Sequence, residues 1–167
     1  MSHERATTIE VAPIGWVRTR RATTRDDFWG AVTSTIEIDP RVPVDALAGL
    51  AEFSHLEVVY QFHAVPVEDI EGGARHPRGR ADWPLVGIFA QRGKMRPNRL
   101  GISRCNLVAV EGRVLTVRRL DAIDGTPVLD IKPYMREFGP IGEVSQPAWA
   151  TELMRDYYLN DAADPAD

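Results

Sequence analysis

Seven short runs of β-branched and aromatic residues, set off by turn residues such as Gly, Pro and Asp, constrain the fold of this chain more than any other feature. They are Ile9 to Val17, Ile36 to Ile38, Leu56 to Val65, Leu85 to Ala90, Ile102 to Val110, Val114 to Leu120 and Val128 to Ile131. Such runs suit a pleated, half-buried surface, so six or seven strands are expected. Glu111-Gly112 separates two of them with a couple of residues to spare, which demands a tight hairpin and antiparallel pairing. A small sheet has two open edges unless it closes on itself. The expected fold is therefore mainly β: a small closed antiparallel β-barrel over about residues 9–138, with one short helix and a C-terminal helix.

The short helix is expected at Pro43 to Ala51, where Pro43 suits a first turn but Gly49 limits the length to about two turns. The second runs from Gln146 to Leu159, started by Pro147, with Trp149, Leu153 and Tyr157 on one apolar face at i, i+4 and i+8. That face reads as a lid on the barrel or a dimer contact. The last residues, 161–167, are expected to fray. No repeat or linker divides the chain, so residues 1–167 read as a single domain, with Glu71-Gly72-Gly73 opening a functional loop inside it.

Cys105 is the only cysteine, which excludes an internal disulfide framework and a zinc site built on several thiolates, and points to the cytoplasm. No apolar run approaches the roughly 20 residues that cross a bilayer, and the start lacks a secretory apolar core. Neither membrane nor metal is expected as a partner. The net charge of −4 argues against a protein that coats polyanions generally. Yet Arg75 to Arg104 holds eight Lys/Arg and one acid, a local +7 that leaves −11 for the rest.

The common signatures G-x-G-x-x-G, G-x-x-x-x-G-K-[ST], H-E-x-x-H and C-x-x-C are all missing, so a Rossmann site, a P-loop and the usual zinc sites lack support. Ser54-His55 places a nucleophile beside a base, but neighbours on an extended chain point to opposite faces, and a loop-to-strand junction is expected. His63 lies in an apolar strand and reads as a hydrogen-bonded core or pocket-wall residue.

Two segments carry more chemistry. In FAQRGKMRPNRLG, Pro97 interrupts strand pairing, so Arg92, Lys94, Arg96 and Asn98 are presented on a rigid loop suited to a carboxylate or phosphate. In LDAIDGTPVLDIKPY, Asp121, Asp124 and Asp130 crowd a Gly-Thr-Pro turn; they either pair with the arginines or accept from a ligand.

With FSHLEVVYQFH and HPRG, in this order and spacing, these segments closely resemble the TsaA-like family that includes TrmO, whose pattern runs FSHLW, FATRSPxRPNPIGLS, LDxxDGTPVxDIKPY. IGWVRT, DDFWGAV and the Pro43 segment also fit, so the likeness covers about residues 9–138. It implies an S-adenosyl-L-methionine-dependent methyltransferase on a small β-barrel, a homodimer with the cofactor site near the subunit contact. In TrmO the product is the N6-methylated form of N6-threonylcarbamoyl-adenosine beside the tRNA anticodon. Carried over position by position, cofactor contacts fall on Asp26, Asp27, Phe28, His63, Arg92, Ile102, Asp121, Ala122, Ile123 and Asp124. Arg96, Asn98, Lys132 and Tyr134 would orient the acceptor.

Gly93-Lys94 replaces the family's Ser-Pro, Arg99 its proline after Arg-Pro-Asn, and Glu57 its tryptophan. These departures bear on the substrate. The +7 stretch favours tRNA, while the acidic remainder opposes a long RNA. Methylation of a small metabolite by the same barrel and a cofactor-binding module without transfer activity are the other two readings.

Overall fold

The computed structural model describes residues 8–161. Six strands close into an antiparallel barrel: β1 (Gly15–Arg18), β2 (Thr33–Ile38), β3 (His55–Gln61), β6 (Leu100–Glu111), β7 (Val114–Arg118) and β8 (Pro127–Pro133). Around the barrel the order is β1-β2-β7-β6-β3-β8. β4 (Ala74–Arg75) and β5 (Val86–Gly87) form a separate two-stranded ribbon. No helix among the described residues is long and apolar enough to cross a membrane.

Alternation along the strands fills the barrel interior. Leu56, Val58 and Tyr60 of β3 point inward with Val17, Ile36, Leu115, Val117 and Val128, all 2% exposed or less. Side chains of this size fill a six-stranded barrel, which is therefore a packed core and not a pore. Gly101 faces Tyr60 so closely that a Cβ there would lie 2.5 Å from the tyrosine ring. The hairpin expected at Glu111-Gly112 is present: Glu111 pairs with Val114, and Gly112 takes φ +58° in the turn.

Several expected boundaries move. The Ile9 run becomes a strand only at Gly15, and the Leu85 run keeps just two residues in β5 before a 3₁₀ turn at Ile88–Ala90. The Pro43 segment forms two 3₁₀ turns, Val44–Leu47 and Leu50–Glu52, because Gly49 sits between them in the left-handed region at φ +79°. The C-terminal helix α1 is shorter than expected, Ala148–Met154, and continues as turns through Tyr158. Of the expected fraying tail, residues 162–167 lie outside the described residues, whereas Asp161 pairs with Arg25 at 2.5 Å.

Candidate ligand pocket

A cavity of about 1270 Å³ opens at one end of the barrel, between the arginine loop, the aspartate turn, the β4-β5 ribbon and the C-terminal segment. A smaller apolar cavity of about 490 Å³ lies under the 3₁₀ turns and holds none of the expected site residues.

The arginine loop is fixed at its base by Gln91. This buried amide donates to the carbonyls of Arg75 (3.1 Å) and Val86 (3.0 Å), tying the loop to the β4-β5 ribbon. Arg92 Nη2 donates to the Ile102 carbonyl at 2.8 Å, and Arg96 Nη1 to the Gln91 carbonyl at 3.1 Å. Arg99 takes φ +50° in the tight turn and reaches the Val65 carbonyl at 2.8 Å. Backbone carbonyls use one donor on each of these guanidinium groups, so each keeps donors for an anion. Arg92, Arg96, Asn98 and Ile102 all line the cavity.

The aspartate turn meets the loop across that cavity. Asp121, Ala122 and Ile123 line it, but Asp124 does not: its Oδ1 accepts from the Thr19 backbone N–H at 3.1 Å and steadies the neighbouring loop. Asp121 is held by two tyrosines. Tyr60 donates to Oδ1 at 3.1 Å and Tyr157 to Oδ2 at 2.5 Å. Burial and the Asp121 carboxylate push both hydroxyls well above the usual tyrosine range, so both remain donors. Asp130 pairs with Lys132 at 2.8 Å on the outside of the barrel.

In the Asp26–Phe28 stretch only Asp26 lines the cavity, where it meets Lys94 at 3.6 Å. Asp27 is taken by a two-pronged pair with Arg78 at 2.8 and 2.7 Å. Phe28 sits at φ +68° outside the cavity, and Trp29, buried under Arg21, forms the wall instead. His63 lines the cavity, which fits a pocket-wall residue and not a core one; it is exposed and lies two residues beyond β3 instead of within the strand.

Lys132 and Tyr134 are not brought to this cavity. β8 turns Lys132 outward, and Arg104 stacks on Tyr134 at 3.9 Å on the barrel wall. Ser54-His55 is the loop-to-strand junction expected, but the two side chains meet instead of pointing apart. Ser54 precedes the first residue of β3, outside the pleat, so its Oγ lies 2.8 Å from His55 Nδ1, while His55 Nε2 meets the Asn106 amide at 2.9 Å.

The basic stretch divides in two. Arg78, Arg80, Lys94 and Arg104 each have a carboxylate partner. Arg75, Arg92, Arg96 and Arg99 have none among the described residues, and the first three line the cavity.

Sequence reasoning missed the depth of the C-terminal contribution. The N–H groups of Phe28 and Trp29 donate to the carbonyls of Asp156 (3.2 Å) and Tyr157 (2.8 Å), and that of Gly30 to the Leu159 carbonyl at 3.3 Å. Trp83 Nε1 donates to Glu152 at 2.9 Å. Trp149, Leu153 and Tyr157 therefore face the cavity as its outer wall. Their four-residue spacing was the only signal. Among the described residues no group of three or more His, Cys, Asp or Glu could hold a metal ion.

Comparison with known proteins agrees with this architecture. A probable S-adenosyl-L-methionine-binding protein of Methanothermobacter thermautotrophicus is 35% identical over 138 residues, 80% of this chain and 96% of that protein. A similar probable binding protein of Pyrococcus abyssi is 38% identical over 112 residues, 64% of this chain and 55% of its own. The tRNA (adenine(37)-N6)-methyltransferase of Escherichia coli is 41% identical over 105 residues, 59% of this chain, and the match spans 43% of the bacterial enzyme. The chain thus spans about half the length of these last two relatives. The crystal structure of TrmO from P. aeruginosa superposes with a TM-score of 0.70 at 29% identity, covering 88% of this chain and 64% of that one. Residues 19–139, well over half of the chain, match the tRNA-methyltransferase O N-terminal domain, so the chain belongs to that family.

Proposed function

We propose that the chain is an S-adenosyl-L-methionine-dependent methyltransferase that methylates N6 of N6-threonylcarbamoyl-adenosine in tRNA. The observation that carries this reading is the single cavity in which Arg92 of the arginine loop faces Asp121, Ala122 and Ile123 of the aspartate turn. The residues present suit the cofactor. Asp26 and Asp121 offer negative charge to an ammonium and a sulfonium, Arg92 offers a guanidinium to an anionic end, and Ile102, Ile123 and Trp29 supply apolar wall for adenine. When bound, S-adenosyl-L-methionine supplies a methyl group on positively charged sulfur.

The protein's own contribution is positional. Aligned reacting groups about 3 to 3.5 Å apart remove several kcal/mol of entropic barrier. Because the sulfur loses its charge on transfer, a strong acid or base contributes less than alignment does. Arg96 and Asn98, at the cavity rim, orient the acceptor, and the proton displaced from its nitrogen leaves to water. At about 1270 Å³ the cavity exceeds an ordinary single-ligand pocket, which supports a place for both cofactor and acceptor base. The exposed apolar residues Leu100 and Ile102, which line the cavity, and Val108 further along β6 support a homodimer with the site near the subunit contact, and tRNA as substrate supports a cytoplasmic location.

One observation favours a small-molecule acceptor instead: ion pairs neutralise Arg78, Arg80, Lys94 and Arg104, so half of the basic stretch is unavailable to phosphates. The test is methyl transfer from labelled cofactor to tRNA carrying N6-threonylcarbamoyl-adenosine. Label in the modified adenosine is expected, with affinity for S-adenosylhomocysteine falling about tenfold or more in Arg92→Ala. Label confined to a metabolite extract would replace the RNA reading. No calorimetric binding of S-adenosylhomocysteine to the wild type would end both enzyme readings.

A further inference from the structure

Arg75 is the one member of the basic ribbon whose surroundings are finished on every side but the cavity. It ends β4, and its backbone carbonyl is held by the buried Gln91 amide at 3.1 Å. The guanidinium lies against the arginine loop. Nη1 points to Met95 Sδ at 3.1 Å, and Nη2 is so near Gly93 that a Cβ there would lie 2.9 Å from it. The Nε–H is enclosed and has no hydrogen-bond partner among the described residues. No carboxylate among them is within ion-pair distance, although its basic neighbours Arg78, Arg80 and Lys94 each have one.

A thioether is a weak acceptor, and arginine cannot shed its proton to escape burial. A half-buried guanidinium with an orphaned donor and a soft partner is a costly arrangement unless something else completes it. The same cavity adds Arg92 and Arg96, each bonded only to a backbone carbonyl, so three guanidinium groups without a carboxylate partner among the described residues line it together.

We propose that Arg75, seated in the space left by Gly93, is a carboxylate-binding residue of the pocket alongside Arg92. This rests on the methyltransferase reading, in which the cofactor and the threonylcarbamoyl acceptor each bring a carboxylate. A guanidinium suits that planar group better than an ammonium does.

The test uses wild type, Arg75→Gln, Arg75→Lys and Gly93→Ala, with calorimetric binding of S-adenosylhomocysteine and of 5′-methylthioadenosine, which lacks the amino-acid end. Should Arg75 hold the cofactor's carboxylate, Arg75→Gln weakens S-adenosylhomocysteine about tenfold or more and leaves 5′-methylthioadenosine unchanged. Should it hold the acceptor's, both affinities stay the same and KM for the modified tRNA rises about tenfold with kcat nearly constant. In either case Arg75→Lys recovers part of the loss, and Gly93→Ala, whose new Cβ displaces only the tip of the arginine, reproduces its direction. Equal weakening of both nucleosides would mean a merely structural role and overturn the proposal, as would unchanged affinities together with an unchanged KM. Failure of the wild type to bind S-adenosylhomocysteine would refute the underlying reading and is recognisable before any variant is made.

Discussion

Replacing Tyr157 by Phe removes one hydroxyl and leaves the ring, so it isolates the bond that fastens the C-terminal segment to the aspartate turn. That hydroxyl donates to Asp121 Oδ2 at 2.5 Å, and the only other side chain on this carboxylate among the described residues is Tyr60, at 3.1 Å on Oδ1. A hydrogen bond to a charged group contributes about 1.5 to 3 kcal/mol. Because Tyr60 still serves Asp121, a loss near 2 kcal/mol at pH 7 is expected, or about 4 to 8 °C in Tm for a domain of this size. The alkaline limb gives an independent check. Burial, followed by the Asp121 charge, raises both tyrosines, so in the folded state they keep protons that the unfolded chain releases near pH 10. Stability from a raised tyrosine is complete below pH 10 and falls above it, by about 1.4 kcal/mol per pH unit for each such group. Urea denaturation between pH 7 and 11 should show the variant less stable at pH 7 and losing stability more gently above pH 10 than wild type. Equal stability at pH 7, or parallel alkaline slopes, would refute the bond's role.

Three further outcomes follow from the packing and charges. Gly101→Ala sets a Cβ 2.5 Å from the Tyr60 ring and is expected to cost about 1 to 3 kcal/mol in chemical denaturation, because both strands are fixed in the barrel wall. The Cys105 thiol, 1% exposed and pushed up to about 12 mainly by burial, should resist a thiol reagent at pH 8 in the folded protein and react at once in urea. Hydrogen bonds from Arg41, side chain before backbone, hold Asp39 at about 2 against an ordinary 3.8. The stability this gives is present above about pH 4 and is lost as pH falls toward 2, so Arg41→Ala should flatten the acid limb of an equilibrium unfolding series.

The strand period and the turn residues suffice for the fold class, since alternation over β3 and β7 names the residues that must face a core, and a sheet this small gains by closing. They also suffice to single out the arginine loop and the aspartate turn, because Pro97 and Gly125 mark where regular pairing stops. Which of those side chains face the cavity is a different kind of fact. Asp121 and Asp124 are three residues apart in one turn, yet one meets tyrosines inside and the other caps Thr19 outside. Asp26 and Asp27 are adjacent, yet one lines the cavity and Arg78 takes the other. Ser54 reaches His55 because β3 begins at His55, which leaves Ser54 outside the pleat. The aspartate outcomes depend on partners 36 to 105 residues away, which local pattern does not encode. Tertiary structure alone also decided that Gly93 makes room for Arg75 and that the C-terminal segment walls the pocket, since the first needs the β4-β5 ribbon tied to the arginine loop by Gln91 and the second needs the backbone hydrogen bonds from Phe28 to Gly30.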